Sequence, residues 1–150
     1  MSNEEEDNEG DDYHEIIKKR FFAAIKKAEE GDTHNMWLLA DFYSEGEYLP
    51  KDYIAAQAWL RKAAELGDDE AYKQLAKLLS KGNGIAKNLE EAFNINYELM
   101  FDCDAEAMME VGVALKEGIG VPKDEKLGSM YMKHAVDIQL DLMKEDKENS

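Results

Sequence analysis

The sequence has 150 residues, of which 44% are hydrophobic, and its formal net charge is −16. This length and composition suit one globular domain, and the acidic excess argues against direct nucleic-acid binding, because phosphates would be repelled. The same charge would attract a basic partner and speed its association. One cysteine and two prolines allow no intramolecular disulfide and leave room for long helices.

The N-terminus, residues 1–12, is predicted to be a disordered acidic tail. The first 16 residues contain eight acids and no Lys or Arg, and such a segment buries too little apolar surface to fold alone. It does not resemble the basic and apolar start of a secretory signal, and no apolar run is long enough to span a bilayer. We therefore expect a cytoplasmic protein that does not insert into membranes.

A helix is predicted next, from about residue 12 to residue 30, and a repeat of 36 residues follows it. The repeat predicts units at about 33–68, 69–104 and 105–140, which together form a single domain over 13–143. Residues 144–150 are predicted to be a polar tail. Positions that match in size across the three units mark the register. They include Gly46, Gly82 and Gly118; Ala40, Ala76 and Gly112; and Ala56, Ala92 and Gly128.

Each repeat is predicted to contain two helices, A and B. Helix A begins after an acidic cap and ends at the repeated glycine, because an acid accepts free N–H groups and glycine adopts the left-handed conformation that closes a helix. The caps of A are Asp32, Asp68 or Asp69, and Asp104, and those of B are Asp52, Asn88 and Asp124. Gly128 is expected to weaken the last helix B by up to ~1 kcal/mol relative to Ala.

The segment from Asn35 to Asp68 carries Asn-Met-Trp-Leu-Leu-Ala-Asp-Phe-Tyr, then Gly46, Leu-Pro-Lys-Asp and Ala-Gln-Ala-Trp-Leu-Arg-Lys-Ala-Ala-Glu-Leu-Gly-Asp. This motif closely resembles the Sel-one-like repeat (SLR), a relative of the tetratricopeptide repeat. The resemblance implies an all-α fold, a right-handed α-solenoid of three helix-turn-helix repeats preceded by one N-terminal helix. It also implies adaptor or scaffold work, since such proteins typically bind other proteins.

By similarity to tetratricopeptide arrays, helices A would line a concave partner-binding face. The side chains expected there are His34, Trp37, Asp41, Glu45, Lys73, Lys77, Lys81, Met109, Val113 and Lys116. Trp37 is either an exposed binding residue or a core residue packed on the N-terminal helix. The three lysines either clamp an acidic peptide or balance nearby acids. Met109 and Val113 either extend an apolar strip or contact the last helix.

No catalytic constellation is evident, so we expect no enzyme activity, cofactor or metal site. The three histidines lack the spacing of metal ligands. Cys103 lies between Asp102 and Asp104, and neighbouring negative charge makes a thiol a poor nucleophile. The acidic clusters lack the spacing of a calcium loop.

The sequence therefore predicts a non-catalytic adaptor that binds a protein partner. The alternative is an immunity (antitoxin-like) protein that neutralises a basic toxin such as a nuclease, because an acidic surface suits a phosphate-binding site. The chain is expected to be a monomer or a weak homodimer that pairs through apolar positions of the last helix. Those positions are Met132, Val136, Leu140 and Met143.

Overall fold

The computed structural model describes residues 7–82 and 87–150, and all the regular secondary structure in these ranges is helical. A short 3₁₀ helix, Met100–Asp102, follows the fifth α-helix. The α-helices in chain order are α1 (Asp7–Glu29), α2 (Thr33–Glu45), α3 (Tyr53–Glu65), α4 (Asp69–Lys81), α5 (Leu89–Leu99), α6 (Ala105–Glu117) and α7 (Glu125–Glu148). The A and B helices of the three repeats are thus α2 and α3, α4 and α5, and α6 and α7.

The predicted helix caps are confirmed. Each cap side chain accepts a hydrogen bond from the backbone N–H three residues later, at 2.9–3.1 Å. The six caps are Asp32, Asp52, Asp68, Asn88, Asp104 and Asp124. Asp68, not Asp69, therefore caps α4. Asn88 also donates its side-chain N–H to Glu91 at 2.9 Å, and the spacing of these two residues is that of a capping box.

The A-to-B connections also follow the 36-residue register. Gly46, Gly82 and Gly118 have φ values of 72°, 64° and 72°, in the left-handed region that glycine adopts without a steric cost. In each repeat the backbone N–H of the B-helix cap then donates to a carbonyl of helix A, at 2.8–3.1 Å. The pairs are Asp52 with Tyr43, Asn88 with Leu79, and Asp124 with Leu115. Residues 83–86 of the second connection lie outside the described residues.

The first compact unit comprises the chain up to Tyr72. In it α1 packs on α2, and α2 packs on α3. Its core contains Phe21, Met36, Leu39, Leu60 and Ala63, all of them buried. Helix α1, which has no repeat partner of its own, thus packs against the apolar face of α2 and shields it from water.

The second compact unit begins at Lys73, within α4. In it α5 packs on α6, and α6 packs on α7. Leu75, Ile95, Val111 and Ala135 are buried. Helix α7 is continuous through Gly128, so the glycine expected to weaken this helix does not interrupt it.

The connection between helices A and B lies against the preceding B-type helix in both units. In the first unit the Tyr48 ring packs on Phe21 of α1, with centroids 5.2 Å apart. In the second unit Gly120 holds the same register position, and a Cβ there would collide with the carbonyl oxygen of Leu89 at the start of α5. The size of the residue at this position therefore matches the distance between the connection and the helix: tyrosine where there is room for a ring, and glycine where the backbones are in contact.

Both ends of the helical region differ from the predicted boundaries. Helix α1 begins at Asp7, inside the predicted 1–12 tail, because acidic residues suit the positive end of a helix dipole. Helix α7 continues to Glu148, because Lys144 to Glu148 are helix-compatible residues and Lys144 pairs with Asp141 at 3.3 Å. Residues 1–6 lie outside the described residues, so disorder of the tail stays a prediction. The single domain over 13–143 also stays a prediction.

Candidate functional site

Four of the expected binding residues form a stripe along α2, which we call the α2 stripe: His34, Trp37, Asp41 and Glu45. They recur at three- and four-residue steps, so they share one face of the helix. The His34 and Trp37 rings stack with their centroids 6.2 Å apart and their planes at 23°. His34 and Glu45 are exposed, whereas Trp37 and Asp41 are partly buried. Trp37 is therefore neither a core residue nor a fully exposed one.

The acidic end of the α2 stripe borders a small cavity of about 210 Å³. Arg20 of α1, Asp41 and Glu45 of α2, and Glu47 of the following connection line it. Burial raises the pKa of the Asp41 carboxyl above its ordinary value, and the negative charges of Glu45 and Glu47 raise it further. A cationic group placed here would relieve that repulsion.

The lysines of α4 are engaged by acids at the start of α6. The Lys73 ammonium lies 2.7 Å from Asp104 and 3.7 Å from Glu106, and the Lys77 ammonium lies 2.8 Å from Glu106. Within residues 7–82 and 87–150, no carboxylate lies within ion-pair distance of Lys81. Two of the three lysines therefore balance nearby acids, whereas the Lys81 ammonium has no such partner among the described residues.

These ion pairs shift the pKa values of both acids. Burial acts to raise the pKa of Asp104, but hydrogen bonds from Lys73 and from the backbone N–H of Ala107 outweigh it and lower the pKa. The hydrogen bond from Lys77 lowers the pKa of Glu106, against a smaller effect of burial. Asp104 thus both caps α6 and ties α6 to α4.

A groove runs between α4, α5 and α6 in the second unit. It consists of two adjoining cavities of about 200 Å³ and 450 Å³ that share Ser80, Asn96 and Glu110. Lys73, Lys77 and Lys81 line the smaller cavity. The larger one is lined by the apolar side chains of Phe93, Val113, Ala114 and Ile119 and also by the charged side chains of Lys87 and Glu110.

The expected site residues of α6 do not all face this groove. Val113 lines the larger cavity, and Met109 is partly buried. Lys116 instead lies at the contact with α7. A Cβ added to Gly128 of α7 would lie 3.0 Å from the Cβ of Lys116. Val113 therefore lines the groove, whereas Lys116 packs against α7; an apolar strip of Met109 and Val113 stays a prediction.

The sequence analysis missed a row of aromatic side chains on α5 and the 3₁₀ helix, which we call the α5 row: Phe93, Tyr97 and Phe101. The Phe93 and Tyr97 rings stack at 5.8 Å, and the Tyr97 and Phe101 rings meet edge to face at 5.2 Å. The four-residue spacing was visible in the sequence. However, spacing alone does not tell which face of a helix its neighbours leave uncovered.

The Sel1 repeat family model matches residues 36–68, 69–94 and 105–136, more than half of the chain. The chain belongs to the Sel1 repeat family. Each matched segment lies within one of the three repeats predicted from the 36-residue register, which confirms the predicted family and its helical-repeat fold. Sel1 repeats are generally protein–protein interaction modules.

Solved structures agree with this assignment. A Sel1 repeat protein from Oxalobacter formigenes is 26% identical with a TM-score of 0.68, and the alignment covers 79% of this chain and 48% of that one. A protective antigen of uropathogenic Escherichia coli with an SLR fold is 25% identical with a TM-score of 0.65, and the alignment covers 73% and 24% of the two chains. The chain thus spans about half and about a quarter of these two relatives.

A third structure, cysteine rich protein B of Helicobacter pylori, shares the Sel1-type fold at 20% identity. Its TM-score is 0.58, and the alignment covers 83% of this chain and 90% of that one. No curated protein sequence is significantly similar to this chain.

In the described ranges, no three His, Cys, Asp or Glu side chains are arranged to hold a metal ion. Cys103 is exposed and has a φ of 59°, at the register position that Gly31 and Gly67 occupy with φ values of 97° and 90°. Among the described helices, none is both long and apolar enough to cross a membrane.

Proposed function

We propose that this Sel1-repeat protein is a non-catalytic, cytoplasmic protein-binding module whose first unit takes a basic segment of a partner protein along the α2 stripe. One observation carries the proposal: a partly exposed Trp37, stacked on His34, leads along the same helix face to the carboxylates that surround the cavity. Tryptophan is a frequent binding hot spot because its large surface is desolvated with little loss of side-chain freedom.

The chemistry of the stripe favours an arginine or lysine of the partner. A guanidinium stacks on the face of a tryptophan, and a carboxylate pair accepts its N–H groups. Burial raises the pKa of Asp41, and the nearby negative charges of Glu45 and Glu47 raise it further, so the carboxyl group would gain from a cationic neighbour. A basic group between these residues would stabilise ionised Asp41.

The test begins with a partner captured by the full chain and identified by mass spectrometry, followed by titration of the purified pair. Trp37→Ala is expected to weaken binding by at least about tenfold, the effect typical of a hot-spot truncation. The matched control is Trp59→Ala, which removes the other tryptophan, on α3, whose ring lies 5.3 Å from the Lys62 ammonium. Equal affinities of the Trp37→Ala variant and the unmodified chain, with helicity retained by circular dichroism, would remove the assignment.

The acidic cavity also supports the second candidate, an immunity-type protein that binds a basic toxin such as a nuclease. A toxin's phosphate-binding site presents cationic groups, and the carboxylates of Asp41, Glu45 and Glu47 would suit them. This candidate requires that the captured partner be toxic or nucleolytic and lose that activity in the complex. Affinity that does not fall as salt rises would count against both candidates, because exposed charge pairs are screened.

A homodimer through α7 is a separate proposal about the same protein. Val136, Leu140 and Met143 lie 43%, 50% and 63% exposed on that helix, and burial of apolar surface would favour a second copy. Sedimentation at several concentrations tests it, since a weak dimer would dissociate on dilution.

A further inference from the structure

The α5 row is a continuous aromatic surface that faces solvent. Tyr97 is 40% exposed and Phe101 is 66% exposed, whereas Phe93 is partly buried. Single exposed apolar residues are normal on protein surfaces, but contiguous exposed apolar patches mark interaction sites. Because each ring contacts the next, the row would be covered as a unit by any partner that binds there.

Acidic side chains accompany the row. Glu90 and Glu98 lie three residues before Phe93 and Phe101, a spacing that makes them neighbours on the helix surface, and Asp102 follows Phe101. The segment 89–102 contains no Lys or Arg. A cationic partner is therefore favoured electrostatically at the Tyr97 and Phe101 end of the row, whereas Lys87 lies at the cavity near Phe93, where the aliphatic side chain would enter.

The row begins at the larger of the two cavities in the groove. Phe93 is part of that cavity together with Val113 and Ile119, and its volume is about 450 Å³. Polar side chains, among them Lys87 and Glu110, complete the lining. Its apolar part accepts an aliphatic side chain, because burial of the side chain removes apolar surface from water. The row and the cavity thus provide aromatic faces, acidic neighbours and an apolar anchor point next to one another.

We propose that the α5 row is a second docking surface, distinct from the α2 stripe, for a basic protein segment that carries arginine and an aliphatic side chain. The guanidinium groups stack on Tyr97 and Phe101 beside Glu98 and Asp102, and the aliphatic side chain enters the cavity at Phe93. A second copy of this chain fits this row less well, because a contact between two identical rows would bring the acidic neighbours of one, such as Asp102, towards those of the other.

The probes are fluorescein-labelled peptides, titrated against the full chain and followed by anisotropy. The first peptide repeats Arg, Leu and Ser, the second replaces Arg with Glu, and the third replaces Leu with Ser. The first is expected to bind most tightly, the third more weakly, and the second not measurably. Equal binding of the first and third peptides would overturn the aliphatic anchor.

Variants then separate the aromatic row from the overall acidity of the protein. Tyr97→Ala and Phe101→Ala keep the net charge, and each is expected to weaken binding of the first peptide by about two- to fivefold, the loss of an exposed cation–π contact. The matched control is Tyr13→Ala, which removes a tyrosine on α1 that is 62% exposed. If all three variants bind as the unmodified chain does, the peptide binds through net charge alone and the proposal is wrong.

Two further measurements keep this proposal distinct from the α2 stripe and from self-association. The effects of Tyr97→Ala and Phe101→Ala should persist in a Trp37→Ala background. Their disappearance there would mean that the peptide binds at α2, not at the α5 row. A concentration-dependent dimer that Phe101→Ala abolishes in sedimentation would also overturn the proposal, because the row would then be a self-contact.

Discussion

Gly112 of α6 and Gly128 of α7 face each other so closely that a Cβ on Gly128 would lie 2.5 Å from the carbonyl oxygen of Gly112. A Cβ on Gly112 would in turn lie 2.6 Å from Cγ of Met132. The first and second repeats have alanine at both equivalent positions. The third hairpin therefore differs from the others in how closely its two helices can approach.

Gly128→Ala is expected to destabilise the protein, although alanine is the better helix former. The added methyl group meets backbone atoms that cannot move independently, and such overpacking costs about 1–3 kcal/mol, more than the ~1 kcal/mol that helix propensity returns. Urea denaturation followed by circular dichroism measures the free energy of unfolding. Gly10→Ala on α1 is the control, because nothing lies within 4 Å of a Cβ there and it should be neutral or stabilising. A more stable Gly128→Ala variant would contradict the close contact.

Cys103→Gly is expected to stabilise the protein by about 1 kcal/mol. Cys103 has a φ of 59° where the other two turns of this register have glycine. A left-handed conformation costs about 1–2 kcal/mol for a residue with a Cβ. Glycine avoids this cost but loses more backbone entropy on folding, which offsets part of the gain. Thermal or urea unfolding tests this, with Cys103→Ala as the comparison. Alanine keeps the strained Cβ and should give no such gain, so equal gains from glycine and alanine would point to the thiol instead of the backbone.

Lys73→Met is expected to destabilise the protein at pH 7 by about 1–2 kcal/mol, between the values for exposed and buried ion pairs. The Lys73 and Asp104 side chains are only 19% and 20% exposed, so Asp104 would be left as a poorly solvated charge. The pKa of Asp104 is lowered in the folded state. Its contribution to the free energy of unfolding is therefore complete above the ordinary pKa of about 3.9, and it is lost as pH falls through the pKa of the folded state.

The difference between the Lys73→Met variant and the unmodified chain should therefore shrink below about pH 4. Lys81→Met is the matched control, since it removes a lysine of the same row that has no carboxylate within ion-pair distance in the described ranges. Equal losses from the two variants at pH 7 would show that the ion pairs with α6 do not stabilise the fold.

Asp41→Asn is expected to show the opposite pH dependence. Because the pKa of Asp41 is raised in the folded state, the folded chain binds a proton more readily than the unfolded chain, and stability falls as pH rises from about 3.9 through the folded value. The variant should thus be more stable at pH 7, by up to about 0.5 kcal/mol as for other surface changes. Its advantage should disappear below about pH 4.

Urea midpoints across this pH range test the Asp41 prediction. Asp137→Asn, which removes an exposed carboxylate on α7, is the control for the loss of one charge. An advantage of Asp41→Asn that is constant with pH would show that the effect does not come from titration of Asp41.

The local elements of the repeat could be predicted from the sequence because they depend on neighbours only a few residues away. A cap such as Asp52 binds an N–H three residues later, and a glycine such as Gly46 takes the left-handed conformation within its own turn. The ends of the chain were less predictable. Helices α1 and α7 extend into segments whose polarity suggested tails: acidic residues suit the positive end of α1, and Lys and Glu at the end of α7 are good helix formers.

The amino-acid sequence by itself thus determined the helices, their caps, the 36-residue register and the family. Only the tertiary structure decided which side chains meet between helices: Lys73 with Asp104, which are 31 positions apart in the sequence, and Gly112 with Gly128. It also decided that Tyr97 and Phe101 stay exposed while Ile95 and Leu99 of the same helix are buried. The physical reason is that hydrogen bonds at caps and turns are local, whereas burial and ion pairing depend on which helix face another helix covers.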